Sequence, residues 1–215
     1  MEPNKMLAWD IETDGLSSVK NLITVATVWS PEKQKVFQFA TLNPQGKLVK
    51  IPNFDELKEE FMKELDDAPV LAGFNAVSFD LPFITAAFGI APERVMRWVL
   101  KSIDIFEICK RACGGRTFAL NLVLDLNNLT SKSGSGLAAV HQAQAGEWEE
   151  LGLYCLDDSR LTYEISSRER IALPESWQWR KRYGGKTHDP ANMLFMLRGP
   201  DNRIDFERGT LEEHE

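Results

Sequence analysis

The sequence predicts an α/β fold built on a mixed five-stranded sheet flanked by helices. Three observations predict it. Apolar runs with strand-like composition open the chain, at 6–12, 21–29 and 35–41. A run with helical period follows, with Phe54, Leu57, Phe61 and Leu65 on one face. From there strand-like and helical stretches alternate, as they do when strands are joined through helices.

The elements follow in order. Residues 6–12 read as the first strand, and Asp14-Gly15 as the turn after it. Asn21–Trp29 is rich in β-branched residues and Lys35–Thr41 alternates, so these read as strands two and three of an antiparallel meander. Asn53 reads as the N-cap of a helix from about Phe54 to Leu65. Pro69–Phe74 reads as strand four, followed by a helix that carries Asp80 at its start. Val99–Ile105 reads as strand five, and Leu120–Leu126, Gly136–Ala145 and Glu147–Ser167 as helices. This pattern alone admits more than one mixed-sheet topology. Residues 1–173 read as one domain and 174–215 as an extension packed on it. In the extension, Met193–Leu197 and Arg203–Phe206 flank a turn and read as a β-hairpin. The acidic tail from Leu211 is expected to be disordered.

Composition narrows the function classes. A chain of 215 residues that is 43% apolar can bury a full single-domain core. No apolar run approaches the roughly 20 residues of a membrane span. Met1–Lys5 lacks the basic start and apolar stretch of a signal peptide, so the expected location is cytoplasmic. Cys109, Cys113 and Cys155 form no zinc-binding spacing, and their odd number suits reduced thiols. The net charge of −7 opposes tight, nonspecific binding to duplex nucleic acid. Basic residues are nevertheless clustered, at Lys101, Lys110, Arg111 and Arg116 and again at Arg180, Lys181, Arg182 and Lys186.

Four acids in three separate stretches carry the chemistry. Asp10 and Glu12 end the first apolar run, and their spacing puts both on one face of a strand. Paired carboxylates repel and are costly to desolvate, so such a pair implies a cation. An oxygen-only donor set suits hard divalent ions such as Mg2+ or Mn2+. Asp80 closes Asn75-Ala76-Val77-Ser78-Phe79-Asp80, and Asp158 closes Tyr154-Cys155-Leu156-Asp157-Asp158. Together these stretches resemble the three motifs of the DEDD superfamily, the DnaQ-like 3'-5' exonucleases. Asp10-Ile11-Glu12 matches the first motif, Asn75, Phe79 and Asp80 the second, and Tyr154 with Asp158 the third. Tyr four residues before the last Asp marks the DEDDy branch. Asp157 is the rival for that last position, but the residue four before it is Leu153.

The resemblance covers roughly residues 5–170 and implies a ribonuclease-H-like arrangement. It implies a 3'-5' exonuclease that uses two divalent cations, Mg2+ or Mn2+, to hydrolyse phosphodiester bonds at a nucleic-acid 3' end. By analogy Asp10 bridges the two ions, Glu12 and Asp158 complete one site, and Asp80 holds the other. Tyr154 orients the attacking water, since a phenol with a pKa near 10 is a poor base at neutral pH. Thr13, Leu16, Asn75, Phe79 and Lys132 are the candidate substrate contacts. Single-stranded DNA is the expected partner, with a polymerase, helicase or other replication or repair protein as a further one. An exoribonuclease and a noncatalytic nucleic-acid-binding module on the same fold remain the alternatives. Simpler roles stay open for single residues: Asp80 as a helix cap, Tyr154 as a core aromatic, Asn75 as a turn residue, Phe79 and Leu16 as wall residues. The Ser131–Gly136 segment reads equally as a connector or as a loop reaching the substrate backbone. Trp177 and Trp179 read as packing or as stacking platforms.

Overall fold

A computed structural model describes residues 6–113, 115, 117–130 and 136–173, together with the backbone of two short strands at 193–196 and 211–213. Strand β1 (Met6–Thr13) is the spine. It pairs antiparallel with β2 (Ile23–Ser30), and β2 pairs antiparallel with β3 (Lys33–Gln38). A small hairpin, β4 (Ala40–Leu42) and β5 (Leu48–Lys50), precedes helix α1 (Phe54–Asp67). Strand β6 (Val70–Gly73) lies parallel to β1. A π-helical turn over Ala76–Asp80 leads into α2 (Leu81–Phe88), then α3 (Pro92–Leu100). Strand β7 (Ser102–Asp104) adds parallel to β6 and completes a five-stranded sheet of order β3-β2-β1-β6-β7. Helices α4 (Ile105–Ala112), α5 (Leu120–Leu126), α6 (Gly136–Ala145) and α7 (Trp148–Ser166) follow. The observed sheet is the mixed, helix-flanked sheet expected from the sequence.

The period of β1 sorts the core onto two faces. Leu7, Trp9 and Ile11 point into an aromatic core with Phe37, Phe39, Phe61, Phe88 and Trp98, beneath α1, α2 and α3. Met6 and Ala8 point the other way, into a core with Ile103, Leu124, Leu161 and Ile165. Asp10 and Glu12 continue that second row, so both carboxylates emerge on the α7 side. Val25 joins Ala139, Ala143, Leu151 and Cys155 in a third cluster that seats α6 and the start of α7.

Several local expectations are corrected. The third strand stops at Gln38: the Phe39 amide still donates to the Thr24 carbonyl in register, but the Phe39 carbonyl accepts from Ile51 and residues 40–42 form the hairpin with β5. Asn53 precedes α1 but its side chain makes no capping bond. Strand five is only Ser102–Asp104. Val99 and Leu100 instead finish α3, whose Trp98 is fully buried and donates Nε1–H to Asp66 at 2.8 Å. Ile105 begins α4 because Asp104 caps it, accepting from the Phe106 and Glu107 amides.

The C-terminal part also differs from expectation. Strand β9 (Met193–Met196) runs antiparallel between β8 (Arg170–Ala172) and β10 (Leu211–Glu213). Residues 211–213, read from the sequence as disordered tail, are therefore paired strand. The expected hairpin partner at 203–206, the aromatic and basic run at 177–186, and Lys132 lie outside the described residues. Among the described residues no helix is long and apolar enough to cross a membrane.

Candidate active site

Asp10 and Glu12 owe their positions to the centre of the sheet. Their strand pairs with β6 at Met6–Ala8 and with β2 from Ala8 to Thr13, so the β2 ladder holds both acids. Asp10 lies opposite Thr27 of β2 in the antiparallel register. The Thr27 hydroxyl, itself fully buried, fixes α7 across the strands. It lies 3.1 Å from the Cys155 carbonyl, 2.8 Å from Ser159 Oγ and 3.3 Å from Cys155 Sγ. Gly152 permits this close approach, since a Cβ there would sit 3.0 Å from Val36 Cγ1 on β3. α7 thereby turns Tyr154, Asp158 and Thr162 toward the acids on β1.

Asp80 arrives by a different route. After β6 the chain reverses tightly, and a Cβ on Gly73 would collide with Ala76 Cβ at 2.3 Å. Asn75 takes a left-handed conformation, φ 65°, which asparagine tolerates better than most residues. The π-helical turn then delivers Asp80, 3% exposed, with its side chain making no capping bond. Asp80 therefore does not serve as a helix cap. The turn is held by Asp104, which accepts the Asn75 and Val77 amides at 2.9 Å each.

These segments meet in a cleft of about 280 Å³. Asp10, Glu12, Asp80 and Asp158 line it, with Tyr154, Phe74 and Phe79 on its walls. Asp157 is turned aside and held by Arg160, whose guanidinium bonds Asp157 Oδ1 at 2.7 and 3.0 Å. Of the two adjacent acids only Asp158 lines the cleft. Thr13 donates its hydroxyl to the Gly15 carbonyl at 2.7 Å, which ties it to the turn after β1. Leu16 projects from that turn, 87% exposed. Asn75 contributes its backbone conformation.

The electrostatics match the donor set. Burial pushes the Asp80 carboxyl well above the usual carboxylate range, and the charges of Asp10, Asp104 and Glu12 push it further. Asp80 thus shares the cleft with like charges close enough to oppose its ionisation. Ligand atoms of Asp10, Glu12 and Cys155 lie within 4.8 Å of one another. Burial, then Asp10 and Glu12, pushes the Cys155 thiol well above its ordinary value, so the sulfur stays protonated. Cys155 Sγ–H points to Asp10 Oδ2 at 3.7 Å. The hard donors are therefore the carboxylates, a set suited to Mg2+ or Mn2+.

Sequence reasoning missed Thr27, Ser159, Cys155 and Asp104. Only Asp104 had a readable signal: an aspartate closing a strand immediately before an amphipathic helical run, the usual place of an N-cap.

The sheet order and the cleft at the end of its central strand define a ribonuclease-H-like α/β domain. The chain belongs to the RNase_H superfamily, whose family model matches residues 7–125. That match includes Asp10, Glu12 and Asp80 and ends before Tyr154 and Asp158. Among solved structures the chain is similar to the family B DNA polymerase from the hyperthermophilic archaeon Pyrobaculum calidifontis. The two share 19% identity with a TM-score of 0.57, over 76% of this chain and 24% of the polymerase. At that identity the likeness is one of fold, and the chain spans about a quarter of the polymerase's length. No curated protein matches the sequence.

Proposed function

We propose that the protein is a metal-dependent 3'-5' exonuclease that trims DNA 3' ends and releases 5'-mononucleotides. One observation carries the reading. Four carboxylates from three distant segments line one cleft, and Tyr154 stands one helical turn before the last of them. Asp10, Glu12, Asp80 and Asp158 would hold two divalent cations, Mg2+ or Mn2+. Such ions, when bound, lower the pKa of water and stabilise charge on the leaving oxygen. The chain's own residues do the rest. The Tyr154 hydroxyl orients the attacking water. Phe74 and Phe79 offer aromatic surface to the terminal nucleotide, and Leu16, exposed on the turn after β1, offers an apolar contact. Lys132 is proposed to meet the substrate backbone. The polymerase likeness favours DNA over RNA and a polymerase as the working partner.

The test is degradation of 3'- and 5'-labelled single-stranded, duplex and RNA oligonucleotides in Mg2+, Mn2+ or EDTA. Stepwise shortening from the 3' end of DNA, abolished by EDTA, is the expected result. Preference for RNA ends selects the exoribonuclease reading. Binding without cleavage in either metal selects the noncatalytic module.

Tyr154→Phe isolates the hydroxyl. The ring still packs against the cluster that seats α7. The single-turnover rate is expected to fall roughly 10- to 1000-fold, the worth of one well-placed hydrogen bond in a transition state. Metal and oligonucleotide affinities should stay near those of the parent. An unchanged rate, with chemistry limiting, would leave Tyr154 as a packing residue.

A further inference from the structure

Asp104 sits at the end of β7, outside the cleft, and is 6% exposed. Its Oδ1 accepts the amides of Asn75, Phe106 and Glu107, at 2.9, 3.0 and 3.3 Å. Its Oδ2 accepts the Val77 amide at 2.9 Å. One carboxylate therefore caps α4 and at the same time holds the turn that carries Asp80. Two further ties join the same elements. Ser78 Oγ donates to Glu107 Oε1 at 3.1 Å, and Phe74 meets Phe106 edge to face at 5.6 Å. The turn needs such external holding. It starts from a left-handed Asn75, runs as a π-helix, and ends at a buried acid with no cap bond of its own.

We propose that Asp104 is a positioning residue for Asp80, fixing through the Asn75 and Val77 amides the place at which Asp80 enters the cleft. The inference rests on the reading of Asp80 as a cation-holding acid. Its residue-level consequence is a division of labour between the two oxygens. Asp104→Asn keeps an acceptor where Oδ1 caps α4, but sets an NH2 group against the Val77 N–H. It should therefore spare α4 while releasing the far end of the turn.

The experiment uses the full chain as parent, Asp104→Asn, Ser78→Ala, and Glu64→Gln as a control on α1. Three readouts are needed: amide hydrogen exchange over residues 74–80, Mn2+ titration followed by electron paramagnetic resonance, and single-turnover cleavage. In Asp104→Asn, exchange in the turn should rise at least about 10-fold. Mn2+ affinity should fall about 10- to 100-fold. The rate should fall about 10- to 100-fold, as expected for an acid displaced by an ångström, and recover substantially in excess Mn2+. Ser78→Ala should change all three in the same direction by less, and Glu64→Gln none of them. A loosened turn with parental Mn2+ affinity would overturn the proposal. So would an affinity loss that Glu64→Gln reproduces. Should the parent cleave nothing in any metal, the nuclease reading fails, while exchange and Mn2+ binding still decide the role of Asp104.

Discussion

Asp10→Ala should reduce hydrolysis by about 1000-fold or more while leaving the protein folded. The acid lies at the end of the central strand, among the other three carboxylates of the cleft. On the proposed reading the substitution removes a carboxylate that would hold the cations, whose stabilisation of the developing negative charge would be worth several kcal/mol, at about 1.4 kcal/mol per tenfold. The effect on stability has the opposite sign. Asp10 is, after burial itself, the first influence pushing the Asp80 carboxyl up. In EDTA its loss relieves repulsion within a desolvated cluster, so the melting temperature should hold or rise. The substitution also leaves the Cys155 thiol without its carboxylate neighbour, but Thr27 still faces that sulfur at 3.3 Å. Calorimetry in EDTA beside single-turnover assays in Mn2+ checks both halves. A clear drop in melting temperature without metal would make Asp10 a structural residue.

Phe61→Ala should give the largest loss of stability, about 3–5 kcal/mol. Phe61 is fully buried on the opposite face of the sheet from the acids. It meets Trp9, Phe37, Phe39 and Phe88 edge to face, with ring centroids 6.1, 5.3, 6.1 and 6.2 Å away. Truncation would leave a void ringed by four rigid aromatics, which cannot collapse as flexible side chains do. For a chain of this size the melting temperature should fall by roughly 6–20 °C. Denaturant unfolding measures the free energy directly. A loss below about 1 kcal/mol would mean that α1 is not a principal support of the sheet. The pair of variants separates the two faces of one strand: Phe61→Ala should cost stability with activity kept in the folded fraction, and Asp10→Ala the reverse.

What the sequence made legible follows from local rules. Alternation along residues 6–12 put Asp10 and Glu12 on one face, and the four-residue spacing put Tyr154 and Asp158 on one side of a helix. Both relations are set by backbone geometry, so they could be read without a fold. The hidden parts depend on meetings between distant segments. Thr27 reaches Cys155 and Ser159 across 128 and 132 residues, and no pattern in β2 announces it. Asp104 was masked because residues 99–105 look like one extended run. Pro92 at the start of α3 and burial of Trp98 assign the first two of those residues to a helix instead. Asn75 was read as a substrate or turn residue; its left-handed φ and the tight reversal that leaves no room for a Cβ on Gly73 place it in a turn that no local pattern announces. The hairpin β4–β5 escaped notice because β3 and β4 are separated only by Phe39, whose own bonds redirect the chain.

The docking of α7 over β1 has a consequence during synthesis. The Cys155–Asp10 contact spans 145 residues, so the cleft has no last wall until the chain has been made past α7. At bacterial or eukaryotic elongation speeds that interval is about 7–30 s. Throughout it, β1 can pair and bury Trp9 while its two acids face open solvent. On the proposed reading, a half-made chain beside cellular nucleic acid has no means of cutting it. On that reading, completion of the fold is itself the activation step.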